Sequence, residues 1–132
     1  MITENQIYTY VEDVVNTASR PVYCSSIKEP IPEELPSCMI GEIGRADLQN
    51  ALPLSFANKE TVSKRLTFEV HVFSNKKNKA LSEAREIMDD AELAFRQLHF
   101  VETMREPLSG NNTTLVHLVA RFTRNIGDGD EE

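Results

Sequence analysis

Three histidines, two cysteines and a few adjacent carboxylates are the residues of this sequence whose types suit chemistry. His71 and His117 lie in strand-like stretches, so they can face one another across a sheet, and His99 stands apart from them. A metal centre needs more ligands at defined spacing, and no HxH, HExxH or CxxC pattern is present. The ordinary reading is a set of imidazoles on a half-exposed sheet face. Cys24 or Cys38 with a histidine would make a nucleophile pair. Each cysteine sits in a strand pattern, however, with no helix N-terminus or basic cluster to lower its pKa, so both read as structural thiols. Asp89-Asp90 and Glu33-Glu34 are candidate acid–base pairs, yet helical neighbours diverge by about 100°, and both pairs read as solvent-facing. Gly41-Glu42-Ile43-Gly44 is too short for a phosphate-cradling loop, and its glycines read as strand punctuation. The expectation is a chain with no catalytic residue, no cofactor and no metal site.

The elements that must position these residues form one domain. A chain of 132 residues buries a core without staples, and the 40% hydrophobic and 27% charged content argues against both disorder and a membrane span. No stretch approaches the roughly 20 apolar residues of a membrane helix, and Met1-Ile2-Thr3-Glu4-Asn5 lacks the pattern of a secretory signal, so the expected setting is cytoplasmic. Two cysteines there would stay reduced. A formal charge of −7 argues against a nucleic-acid partner. The basic cluster Lys76-Lys77-Asn78-Lys79 reads as a solvated turn.

Thr3 is an N-cap candidate, and Ile7, Tyr10, Val11, Val14 and Val15 recur on one face of a helix over residues 4–17. Pro21 ends it, and a strand is predicted over 22–27. Pro30, Pro32 and Pro36 make the next segment an extended connection. A second strand is predicted over 38–43, followed by an irregular stretch over 45–59 that carries Leu48, Leu52, Leu54 and Phe56.

Residues 62–74 alternate most clearly. Leu66, Phe68, Val70 and Val72 fall on one parity, and Thr67, Glu69, His71 and Phe73 on the other. Ala80, Leu81, Ala84, Ile87, Met88, Ala91, Phe95 and Leu98 then define an amphipathic helix of about five turns, with acidic residues on its opposite face. A strand over 100–106 stopped by Pro107, the turn Ser109-Gly110-Asn111-Asn112 and a strand over 115–124 complete a hairpin. The tail over 127–132 has no apolar residue and is expected to be disordered, leaving residues 1–126 as a single domain. The fold class is α+β: an antiparallel or mixed sheet with a long amphipathic helix packed on one face and an additional N-terminal helix. The other face is left to water or to a partner.

The stretch Arg65-Leu66-Thr67-Phe68-Glu69-Val70-His71-Val72-Phe73-Ser74, followed by a polar turn and Lys79-Ala80-Leu81-Ser82-Glu83-Ala84-Arg85-Glu86-Ile87-Met88-Asp89-Asp90-Ala91, resembles the tail-terminator (tail-completion) family of long-tailed bacteriophages. In that family an alternating apolar strand ending in an aromatic and a Ser or Thr leads into such a helix. The closing strand over 115–123 is similar to the family's last strand. The proline-rich stretch Pro30 to Pro36 departs from the family's usual look.

The resemblance implies a homo-oligomeric, hexameric ring that caps the tail tube, ends its polymerisation and offers its other surface to the head-completion complex. Its partners would be further copies of itself, the major tail-tube protein and a head-completion or connector protein, with no nucleic acid and no membrane. Its place would be the bacterial cytoplasm during assembly and then the head-proximal end of the virion tail, the source being a phage or a prophage. Leu48, Leu52, Leu54, Phe56, Phe73, Asn111 and Asn112 are the candidate interface residues. Two alternatives stand beside this reading. One is another head–tail connector or neck component. The other is a small-molecule-binding or enzymatic domain with a pocket between the long helix and the sheet.

Overall fold

A computed structural model describes residues 3–27, 35–47, 64–76, 79–108 and 115–126. The chain runs α1 (Glu4–Val15), β1 (Tyr23–Ser26), β2 (Ser37–Asp47), β3 (Lys64–Ser74), α2 (Ala80–Gln97), β4 (Val101–Leu108) and β5 (Val116–Ile126). The strands form one mixed sheet in the order β1-β2-β3-β5-β4, in which β1 runs parallel to β2 and every other pair is antiparallel. Both helices pack on one side, α2 against β3 and β5, and α1 against α2 and β2. The architecture is the α+β class that the pattern predicts.

Local chemistry sets the element ends. The Thr3 hydroxyl accepts from the Gln6 backbone N–H at 3.2 Å, and the Gln6 side chain accepts from the Thr3 N–H at 2.8 Å, a reciprocal cap that starts α1. The helix ends at Val15, two residues before the predicted end. Asn16 turns extended, and its side-chain oxygen accepts from the Val22 N–H at 2.9 Å. Pro107 was expected to stop the fourth strand, but β4 continues to Leu108, with Pro107 paired to Leu118. An edge strand tolerates this, because a proline's missing N–H there need not leave a neighbour unbonded.

The inward positions read from parity are buried. Leu66, Phe68, Val70 and Val72 of β3 and Ala120 and Phe122 of β5 are 0% exposed. They meet Ala84, Ile87, Met88, Ala91 and Phe95 of α2. Phe95 stacks on Phe122 at 4.5 Å between ring centres and tilts against Phe68 at 5.6 Å, so the centre of the layer is aromatic. Each such ring contributes about 1.5–3 kcal/mol by leaving water.

Asp89 and Asp90 face solvent as expected, Asp89 at 64% and Asp90 at 38% exposure, and each holds an arginine. Asp89 accepts from Arg105 Nη1 of β4 at 2.7 Å, while Asp90 takes the guanidinium of Arg20, ahead of β1. The divergence of adjacent helical side chains sends the two carboxylates to opposite flanks of α2.

Candidate functional site

Polar side chains of the described residues collect on the sheet face opposite α1 and α2. Strand register brings them together in rows: Ser37, Phe73, His117 and Leu108 in one, Met39, His71, Val119 and Glu106 in the next, then Gly41, Glu69, Arg121 and Met104. His71 and His117 are diagonal neighbours on β3 and β5. Their ring nitrogens, His71 Nδ1 and His117 Nε2, lie 2.7 Å apart.

A continuous chain of hydrogen bonds runs through them. Arg121 Nε donates to Glu69 Oε2 at 2.9 Å, and His71 Nε2 donates to Glu69 Oε1 at 2.8 Å. His71 then meets His117, whose ring stacks on Phe73 with centres 4.1 Å apart. The donor roles follow from the carboxylate. It requires a proton on His71 Nε2, so a neutral His71 presents Nδ1 as acceptor and His117 donates from Nε2. A 2.7 Å N···N contact holds one proton, so the two imidazoles cannot both be charged on that line.

The electrostatics agree. Burial and then the neighbouring His71 push the His117 pKa down to about 4, against the opposing pull of Glu69. At Glu69 burial works to raise the carboxyl, and the His71 and Arg121 hydrogen bonds and charges outweigh it, holding the group below its ordinary value. A carboxylate that orients an imidazole is the arrangement of a general base. Here the far end of the chain rests on the Phe73 ring, so the arrangement ties β3 to β5. Among the described residues, no three His, Cys, Asp or Glu side chains converge to hold a metal ion.

The third histidine has a different task. His99 takes a positive φ of 70° just past the end of α2. Its N–H donates to the Arg96 carbonyl at 2.9 Å, and the Phe100 N–H donates to the Phe95 carbonyl at 2.8 Å. This is the paired-bond helix stop that usually employs glycine, with the Phe95–Phe100 ring contact at 5.3 Å as its apolar clasp.

Beyond Arg121, at the end of the sheet, lies a cleft of about 780 Å³ lined by Arg65, Thr67, His99, Val101, Thr103, Arg121, Thr123, Arg124 and Asn125, with Arg124 on the helix side by register. Arg65 Nε meets the Asn125 side-chain oxygen at 3.4 Å, and Arg124 Nη1 donates to the Leu98 carbonyl at 3.0 Å. The Thr103 hydroxyl donates to the Arg121 carbonyl at 3.4 Å, at the bulge in β4 between Glu102 and Met104. Sequence reasoning did not find this cleft. Its basic residues lie up to 59 positions apart (65 to 124), and only the register of β3 with β5 joins them.

Cys24 and Cys38 are direct register partners on β1 and β2. A hydrogen bond that the Cys38 thiol donates to Cys24, and then full burial, raise the Cys38 pKa well above the ordinary thiol value, the state of a packed thiol rather than a nucleophile.

Of the candidate interface residues, Phe73 faces away from the helices as its parity predicts, but it is only 3% exposed beneath His117. Leu48, Leu52, Leu54, Phe56, Asn111 and Asn112 lie outside the described residues, as do most of the proline-rich stretch and the segment over 127–132. No helix among the described residues is long and apolar enough to cross a membrane. Set against known proteins, the chain matches no family model and no curated protein sequence.

Proposed function

We propose that this chain is a non-enzymatic assembly protein of the tail-terminator type, a ring that caps the tail tube of a long-tailed phage or prophage and presents a surface for head joining. The observation that carries the reading is the unlikeness of the two sheet edges. β1 forms one edge with Tyr23 43% exposed, and β4 forms the other with Val101 66% and Leu108 42% exposed. Two different edges, each with exposed apolar side chains among the described residues, suit a head-to-tail contact between copies, and such a contact yields a ring when its rotation closes. Support also comes from the two halves of the resembling stretch, which fall on β3 and α2 and pack against each other in the core.

The test has two parts. Light scattering over a range of chain concentrations should give the mass of a closed ring, six copies by the resemblance. Adding the chain to polymerising tail-tube protein of the same phage should stop tube growth, read as shorter tubes by electron microscopy. A ring that leaves tube length unchanged would favour a neck or connector component. A strict monomer that neither binds nor shortens tubes would end the assembly reading.

A further inference from the structure

The edge strand β1 is the shortest in the sheet, four residues against eight or more in the others, and among the described residues β2 is its one strand neighbour. Its cysteine sits opposite another. Cys24 and Cys38 are register partners in this parallel pair, so their side chains leave the sheet on the same face. That face is the helix side. Cys38 also pairs with the inward Val72 of β3 and is 0% exposed within the core, against which Cys24 packs from a half-buried place. Neighbouring strands lie about 4.8 Å apart, inside the roughly 4.4–6.8 Å that a disulfide spans between Cα atoms. The sulfurs already meet, since the Cys38 thiol donates to Cys24, whose own S–H donates to the Val22 carbonyl at 3.8 Å.

The two thiols are unequal, and their difference gives them an order. Cys24 stands on the edge strand and is partly open, whereas Cys38 is enclosed. A reagent arriving from water therefore meets Cys24 first, and Cys38 waits beneath it as the partner. The Arg20 guanidinium, anchored by Glu86 and Asp90 of α2, lies close enough for its charge to act on Cys38. A cation beside the pair favours the negative sulfur through which thiol chemistry proceeds.

We propose that Cys24 and Cys38 form an oxidisable dithiol whose oxidant is a small hydroperoxide and whose product is a disulfide that fastens β1 to β2. The Cys24 thiolate attacks a peroxide oxygen and the O–O bond breaks. The hydroxide that leaves takes up the proton Cys24 released, and Cys24 is now a sulfenic acid. The Cys38 sulfur then attacks the Cys24 sulfur, the S–O bond breaks, and the Cys38 proton departs with the hydroxide as water. Both electrons that reduce the peroxide come from the sulfur pair. The new bond closes the loop from 24 to 38 and removes freedom that the open unfolded chain retains. The inference concerns a reaction within one chain and does not rest on the assembly reading.

The test takes the full chain, reduced and freed of reductant, and adds an equimolar amount of hydrogen peroxide near neutral pH. The intact mass falls by two hydrogens, both thiols stop reacting with a maleimide label together, and the product runs as a single chain on a non-reducing denaturing gel. The melting temperature rises by about 10 °C, as expected for a crosslink closing a loop of this length, and returns when dithiothreitol is added. Cys38→Ser leaves a sulfenic acid at Cys24 that dimedone traps, whereas Cys24→Ser leaves Cys38 unoxidised over the same time. The proposal is overturned if the wild-type chain gains oxygen without losing hydrogen, if the disulfide joins two chains, if neither thiol reacts, if the melting temperature does not rise, or if Cys38 alone is oxidised as fast as Cys24 alone. Should either variant fail to fold, the mass, gel and melting readouts of the wild-type chain decide.

Discussion

Replacing His117 with phenylalanine should make the protein less sensitive to mild acid, and the size of the effect follows from the imidazole pair. An unfolded histidine takes its proton near 6.5, whereas the folded His117 does not do so until about 4. Between those values the unfolded chain binds more protons than the folded one. Stability that is complete above about pH 6.5 is therefore lost as the pH falls towards 4. For a fully buried group the difference at about pH 5 would be roughly 2 kcal/mol. His117 is only partly buried, so solvent screening brings the expected loss to about 1 kcal/mol. The phenylalanine keeps a ring on Phe73 and removes the titration, at the expense of the His71 hydrogen bond. Urea unfolding of both chains at about pH 7.5 and about pH 5 measures the quantity directly. The variant should be the less stable at the higher pH and should lose about 1 kcal/mol less on acidification. Equal losses in the two chains would mean that the imidazole pair does not hold His117 neutral, and the one-proton reasoning would fall.

Phe95→Ala removes the ring between Phe122 and Phe68 and should cost about 3–5 kcal/mol in chemical denaturation, enough to leave a domain of this size marginal or unfolded. His99→Gly should raise the melting temperature, with a gain of up to about 1 kcal/mol, because glycine adopts the left-handed position without the side-chain clash; a drop would show that the imidazole holds the cleft rim in a way the helix stop does not require.

The inside of this protein was legible because its periods are clean. The alternation of Leu66, Phe68, Val70 and Val72 and the three-and-four spacing of Ala84, Ile87, Met88, Ala91 and Phe95 each assign a face without knowledge of the partner element. The facing of His71 and His117 was legible on the same ground. What was not legible depends on pairing between distant segments. The parallel partnership of β1 with β2, the survival of β4 through Pro107 and the gathering of Arg65 with Arg121 and Arg124 all follow from strand order and register, which local pattern does not encode. His99 was hidden differently, since a helix stop at this position is ordinarily read from glycine or asparagine.

The two carboxylates at the middle of α2 lead to a last consequence. Asp90 is fastened to Arg20 beside one sheet edge, and Asp89 to Arg105 on the strand that forms the other. The helix is thus guyed from both flanks, and a roll in either sense slackens one stay only by straining its opposite.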